Sequence, residues 1–111
     1  MKGSEESLGS LEHIVLLAVM RLGDNAYGIA VLREIERIAA RELSIGTVYA
    51  TLGRLESKGF VKSSEGEPTA ERGGRAKRYF RVTAVGKSAV RRAQEAIVKM
   101  SSGLEDLQVT G

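Results

Sequence analysis

The sequence contains no cysteine and no tryptophan, and it has a single proline and a single histidine. Without cysteine, the chain can form neither a disulfide nor a thiolate metal site, and it has no thiol nucleophile. No apolar run reaches the roughly 18 residues of a membrane span, and no signal peptide with a cleavage site is present. We therefore expect a cytoplasmic protein with no membrane partner.

Catalytic constellations are also missing from the sequence. The one histidine, His13, lies among apolar residues of a helical segment, where packing or an interface position is the ordinary role. There is no Gly-x-Ser-x-Gly motif, no pair of carboxylates suited to acid–base chemistry, and no set of His, Asp or Glu at metal-ligand spacing. These absences predict a protein that is not an enzyme and that holds no metal or cofactor.

Length and charge indicate one small domain with a local basic segment. The chain has 111 residues, of which 42% are hydrophobic and 28% charged, as in an ordinary globular domain. Its net charge is only +3, but residues 71–81 hold five basic side chains against a single glutamate. Such a segment predicts an edge that faces a polyanion, although a solvated basic loop accounts for the charge equally well.

Two helices are predicted in the first 40 residues. Ser10 is the expected cap of the first helix and Gly23 its end. This helix is apolar nearly all round, so it must be covered on more than one face, and a partner subunit is the expected second cover. The second helix is predicted over residues 26–40, with Asp24 or Asn25 as its cap.

A third helix is predicted between Ser44, its expected cap, and Gly59, its expected end. One face has the apolar spacing of a helix that packs on a core. The opposite, outer face is short-chained near the N-terminus and basic further along. This outer face carries Thr47, Ala50, Thr51, Arg54 and Lys58.

Two short strands and a final helix complete the chain. The strands, residues 60–64 and 78–82, are predicted to pair with Val61 opposite Val82, which keeps their apolar faces together. Residues 71–72 are then the midpoint of the hairpin, and the glycines at 73–74 lie on its returning limb. Thr83 is expected to cap a helix with apolar residues at coiled-coil spacing, and residues 101–103 are an alternative end for it. The repeat comprises Val90, Ala93, Ile97, Met100, Leu104 and Leu107.

This order of elements predicts a mainly α (α+β) fold of the winged helix-turn-helix type. It has three N-terminal helices, a two-stranded β-wing and a long C-terminal dimerisation helix. The expected division is a flexible arm over residues 1–9, a winged-helix DNA-binding domain over residues 10–83, and a C-terminal dimerisation helix and tail over residues 84–111.

Three segments of the chain match the pattern of a known family. They are LEHIVLLAVMRLGDNAYGIAVLREIE (11–36), LSIGTVYATLGRLESKGFV (43–61) and GGRAKRYFRVTAVGKSAV (73–90). Together they resemble the PadR family of transcriptional regulators. The resemblance implies a winged-helix homodimer that binds operator DNA, usually as a repressor, and releases it when an effector binds. Some short members hold flat aromatic compounds with a tryptophan. This chain has none, so that mode of ligand binding is not expected.

The outer face of the third helix is expected to enter the major groove. Thr47 and Thr51 would bond to base edges, and Arg54 and Lys58 would reach phosphates. Core packing is the ordinary role for Tyr49, while the resemblance implies a phosphate contact for its hydroxyl. The alternative for the whole face is the solvated side of an amphipathic helix.

The predicted sites form three sets. The recognition-helix set is Ser44, Thr47, Tyr49, Ala50, Thr51, Arg54 and Lys58. The wing set is Arg72, Gly73, Gly74, Arg75, Lys77 and Arg78. The dimer-interface set is Leu11, Leu16, Met20, Val90, Ala93, Ile97, Met100 and Leu104, for which packing within one chain is the alternative.

These inferences favour a dimeric, sequence-specific DNA-binding transcriptional regulator. Its expected partners are double-stranded DNA with a pseudo-palindromic operator, a second copy of the chain, and a small-molecule effector that relieves repression. The alternative is a winged helix that serves as a protein–protein interaction module, because a fold alone does not determine function. The basic wing favours DNA binding.

Overall fold

The computed structural model describes residues 8–66 and 77–107. Within them, helices and a two-stranded sheet follow one another in the predicted order, which confirms the mainly α winged-helix class. Short 3-10 turns lie at Gly23–Asn25 and Glu105–Leu107. The longer elements are α1 (Ser10–Leu22), α2 (Gly28–Ala39), α3 (Ile45–Ser57), β1 (Val61–Glu65), β2 (Arg78–Val82) and α4 (Ala84–Ser101).

Capping of the first two helices differs from the prediction. Gly9 precedes α1, and its amide donates a hydrogen bond of 2.9 Å to the carboxylate of Glu12 in the first turn. Ser10 is itself helical, so its predicted role as the cap is wrong. The predicted cap of α2 is also wrong, because both candidate residues lie inside the 3-10 turn and the cap position falls on Tyr27.

The core lies between α1, α2, α3 and the sheet, and α1 supplies its centre. Val15 and Leu16 are fully buried there. The start of α4 closes the same core through Ala89 and Val90. Leu16 and Val90 are therefore covered within one chain, and their assignment to a dimer interface is wrong.

The hairpin register agrees with the prediction. Strands β1 and β2 are antiparallel with Val61 opposite Val82, and their pairing runs on to Glu65 opposite Arg78. The amide of Gly66 then donates to the carbonyl of Lys77 at 2.7 Å. The predicted wing residues Arg72, Gly73, Gly74 and Arg75 lie outside the described residues.

The start of α4 is fixed by a cap and a close backbone approach. The Thr83 hydroxyl accepts the Gly86 amide at 3.0 Å and donates to the Gly59 carbonyl at 2.7 Å, which confirms Thr83 as the cap. A Cβ added to Gly86 would lie 2.2 Å from the carbonyl oxygen of Phe60. Only glycine therefore allows α4 to approach the segment between α3 and β1 this closely.

Gly86→Ala is expected to lower the melting temperature. The backbone of α4 or of Phe60 would have to move, and overpacking of this kind costs about 1–3 kcal/mol, or roughly 5–20 °C in a domain of this size. Gly53→Ala is the matched control, because a Cβ on this exposed glycine of α3 has open space around it. Alanine favours the helix there, so the control should melt at or above the wild-type temperature. Thermal unfolding followed by circular dichroism measures both, and a wild-type melting temperature for Gly86→Ala would contradict the packing.

The second half of α4 is exposed, and the helix ends earlier than the apolar repeat. Ile97 is 63% exposed and Met100 is 79% exposed. α4 ends at Ser101, and Gly103 has a φ of 83°. Leu104 therefore lies beyond the helix, so the alternative end at residues 101–103 is confirmed and the repeat is continuous only as far as Met100.

Glu34 makes two ion pairs, one to Arg21 of α1 and one to Arg37 within α2. Its carboxylate accepts Arg21 Nε at 3.0 Å and Arg37 Nη2 at 2.9 Å. These guanidinium groups, Arg21 first, hold the pKa of Glu34 below the usual value for a glutamate. The same two helices border an apolar groove of about 260 Å³, to which Ile14, Leu17 and Ile38 contribute.

Candidate nucleic-acid interface

The first turn of α3 holds small polar side chains in a fixed arrangement. Ser44 Oγ accepts the Thr47 amide at 3.0 Å, and the two hydroxyl oxygens lie 2.9 Å apart, which confirms Ser44 as the cap. Val48 and Leu52 are fully buried against the core. Thr47 and Ala50 consequently face outward and are exposed. A short, unobstructed helix face of this kind can approach base edges closely.

Thr51 does not belong to the exposed face. It is fully buried, because it follows Val48 by one helical turn and so shares the core-facing side. Its hydroxyl donates to the Thr47 carbonyl at 2.8 Å and accepts Arg54 Nη2 at 3.3 Å. The prediction that Thr51 contacts base edges is therefore wrong.

The buried carboxylate of Glu12 on α1 contacts the two basic side chains at the end of α3. Glu12 accepts Lys58 Nζ at 2.8 Å and 3.1 Å on its two oxygens, and Arg54 Nε lies 3.5 Å away. The same carboxylate accepts the Gly9 amide. We call these four residues, Gly9, Glu12, Arg54 and Lys58, the Glu12 cluster.

The two predicted phosphate contacts, Arg54 and Lys58, differ in how far their side chains are exposed. The Lys58 side chain is only 23% exposed and its ammonium is bound by Glu12, so its assignment as a phosphate contact stays a prediction. The Arg54 side chain remains 55% exposed while its Nε faces Glu12. Arg54 is therefore a basic group of α3 that is both anchored and accessible.

The protonation of Glu12 reflects opposing effects. Burial by itself raises the pKa of this carboxyl, but the hydrogen bonds from Lys58, Gly9 and Arg54 and the charge of Lys58 together hold the pKa below the usual value for a glutamate. A lowered pKa in the folded state means that the cluster contributes stability at neutral pH. That contribution is lost as the pH falls through the folded-state pKa.

Tyr49 packs its ring and still reaches solvent. The ring lies over Gly28, where an added Cβ would fall 2.4 Å from the hydroxyl oxygen. Tyr49 is nevertheless 47% exposed. Ring packing against α2 and a solvent-facing edge therefore coexist at this position.

The returning strand of the wing is anchored to the turn before α2. The Phe80 amide donates to the Ala26 carbonyl at 2.8 Å. The Tyr27 and Tyr79 rings meet edge to face with centroids 5.6 Å apart. Lys77 Nζ lies 4.2 Å above the Tyr27 ring, a cation–π contact that holds this wing cation near the domain.

The other predicted wing cation in the described residues connects the hairpin to α3. Arg78 Nη1 donates to Ser63 Oγ at 2.8 Å, and Ser63 Oγ donates to Glu56 Oε2 at 2.7 Å. Arg78 also stands opposite Glu65 in the sheet. These contacts bind the base of the wing to the last turns of α3.

The remaining predicted interface residues differ in exposure. Met20, Ile97, Met100 and Leu104 are exposed, whereas Leu11 and Ala93 are partly buried. His13 Nε2 is buried and has no hydrogen-bond partner within the part of the chain that the structure describes.

The described residues contain no grouping of three or more His, Asp or Glu side chains suited to a metal ion. Over residues 8–66 and 77–107, no helix combines the length and the apolarity needed to cross a membrane.

The architecture defines the class of protein. Three helices followed by a β-hairpin, with a polar outer face on the third helix, form a winged-helix DNA-binding fold. The family model described as "Transcriptional regulator PadR-like family" matches residues 16–92. The chain belongs to this PadR-like family of transcriptional regulators, as the sequence resemblance indicated, and it is a regulator rather than an enzyme.

Solved structures of the same fold support the match. A PadR-like transcription factor from Bacteroides fragilis has a TM-score of 0.72 at 18% identity, over 88% of this chain and 89% of that one. A transcriptional regulator from Clostridium thermocellum has a TM-score of 0.70 at 22% identity, over 89% and 93%. A PadR family regulator from Eggerthella lenta has a TM-score of 0.67 at 24% identity, over 91% and 88%. A comparison with curated proteins gave no match.

Two residues of this region escaped the sequence-based prediction. Glu12 carried a signal, because it is the single acidic residue of a largely apolar helix and lies three residues after a glycine. Tyr27 carried only the pattern of a core-facing residue. Its partners on the wing are about 50 positions away in the sequence, so local spacing could not reveal them.

Proposed function

We propose that this protein is a homodimeric, sequence-specific DNA-binding regulator that acts as a repressor and is released by a small-molecule effector. The single observation that carries DNA binding is the outer face of α3, where Thr47 and Ala50 are exposed beside the half-exposed Arg54. The first two offer short side chains to base edges, and Arg54 offers a cation to a phosphate.

The wing supports the same proposal. Residues 71–81 hold five basic side chains, and the strand that returns from this segment is anchored to the turn before α2. A basic hairpin held beside a recognition helix can follow the sugar–phosphate chain into the adjacent minor groove. We assign this role to Arg72, Gly73, Gly74, Arg75, Lys77 and Arg78.

Dimerisation is proposed from the unpartnered apolar surface. Ile97 and Met100 on α4 and Met20 on α1 are exposed in a single chain. Pairing two copies through them would place two recognition helices on successive half-sites of a pseudo-palindromic operator. On this basis residues 10–83 form the DNA-binding domain and residues 84–111 the dimerisation segment. Repression and release by an effector are proposed because the family resemblance implies them, and the cytoplasm is the proposed location.

DNA binding is tested by titrating the protein against the DNA upstream of its own gene at several salt concentrations. We expect specific binding that weakens with salt, with a log–log slope of about 0.9 for each neutralised phosphate. A scrambled duplex of the same length and composition is the control and should bind more weakly. Absence of binding to either duplex at low salt would refute the proposal and favour a protein-interaction module.

A further inference from the structure

The Glu12 cluster ties the start of α1 to the end of α3. The Glu12 carboxylate accepts hydrogen bonds from the backbone amide of Gly9 and from Lys58, which lies 46 residues after Glu12 in the sequence. The Arg54 side chain lies beside the same carboxylate. The Glu12 side chain is only 8% exposed, so these donors replace the water that a carboxylate would otherwise bind. The contact therefore fixes the distance and orientation between the two helices.

The two basic residues at the end of α3, Arg54 and Lys58, differ in solvent exposure. Lys58 lies at the C-terminal cap of the helix and directs its ammonium at both oxygens of Glu12. Arg54 lies one turn earlier, keeps most of its side chain in solvent, and has both Nε and Nη2 held by contacts to Glu12 and Thr51. An arginine held at two nitrogens presents its planar group in one orientation, whereas a free lysine reaches phosphates without regard to direction.

We propose that Glu12 is a positioning residue of the DNA-reading surface: it fixes the last turns of α3 against α1, orients Arg54, and withholds Lys58 from the phosphate backbone. This inference rests on the proposed DNA-binding function. Its consequence is that Glu12 lowers affinity for DNA of any sequence and raises discrimination, because a cation that binds every phosphate equally adds nothing to specificity.

Glu12→Gln tests the proposal because it removes the charge and keeps the shape. We expect the variant to show a salt slope steeper by about one on operator and scrambled DNA alike, since the released Lys58 ammonium then neutralises one more phosphate. The ratio of operator to scrambled affinity should fall by several-fold. Adding Lys58→Met to Glu12→Gln should return the slope to the wild-type value.

Glu34→Gln is the matched control. It makes the same change in charge at a carboxylate that also binds two basic side chains, but these partners lie on α1 and α2 and neither is a residue of α3. Its slope and its affinity ratio should equal those of the wild type. A steeper slope in this control as well would mean that overall charge causes the effect, and that result would overturn the proposal. So would an unchanged slope in Glu12→Gln.

Lys58→Met in the otherwise wild-type protein gives a test that does not depend on the folding of the Glu12 variant. Because Lys58 is withheld, its loss should leave the salt slope unchanged; a slope shallower by about one would show a phosphate contact and overturn the proposal.

If neither the wild-type protein nor any variant binds DNA, the proposed DNA-binding function fails. Thermal unfolding then still tests whether Glu12 and Lys58 are paired. Each single variant should then lower the melting temperature, and the double variant should fall no further than the worse single one, whereas additive losses would reject the pairing.

Discussion

Ala50→Glu is expected to weaken operator binding by about a hundredfold or more while the protein stays folded. Ala50 is exposed in the middle of the outer face of α3, so a glutamate there places a bulky negative charge between the helix and the DNA. Opposing like charges across an interface costs several kcal/mol, and about 3 kcal/mol corresponds to roughly a hundredfold in affinity. Glutamate is a good helix former, so α3 itself should be unaffected.

The binding of labelled operator DNA at fixed salt, followed by fluorescence anisotropy, measures this effect. Ala84→Glu is the matched control, since Ala84 is also an exposed helical alanine and the substitution changes the charge equally. At the first turn of α4 a negative charge is favourable to the helix, and the operator affinity should change little. Wild-type affinity in Ala50→Glu would show that α3 does not enter a groove.

Ile97→Glu is expected to convert the proposed dimer into monomers. Ile97 is 63% exposed in a single chain, so the substitution does not disturb the core, but it puts a charge into the apolar surface assigned to dimerisation. Burying an unpaired carboxylate at an interface is strongly unfavourable. Sedimentation velocity should show the mass falling to that of one chain of 12.0 kDa. Operator binding should weaken by about tenfold or more, because the two half-sites are no longer bound together.

Lys99→Gln controls for the charge in this experiment. Like Ile97→Glu, it lowers the net charge of the exposed part of α4 by one, but at a position off the apolar repeat. This variant should sediment as the wild type does. A dimer that persists in Ile97→Glu would place the subunit contact on another surface, of which the apolar groove between α1 and α2 is the clearest candidate.

Much of the local structure was predictable because it depends on neighbours in the sequence. The cap at Ser44 needs only a hydroxyl three residues before an available amide, and the cap at Thr83 follows the same rule. The register of Val61 with Val82 follows from the alternation of apolar side chains in two five-residue strands. The ends of α1 and α3 follow from glycines with positive φ.

The errors, and the contact at Lys58 that was not predicted, lie where another part of the chain decides the outcome. Thr51 has a polar side chain typical of a surface residue, yet it is fully buried because it lies on the side of α3 that packs against the core. Lys58 ends a basic face in the sequence, but a carboxylate 46 residues earlier binds it. Leu16 and Val90 have the apolar character of interface residues, and the domain's own core already covers them.

The sequence by itself therefore determined the order of the helices and strands, the winged-helix class and the polar outer face of α3, because periodicity and capping act within a few residues. Tertiary structure alone decided which members of that face remain accessible. Burial and ion pairing depend on which surfaces meet in space, and Glu12 meets the end of α3 only after α1 and α3 have packed together.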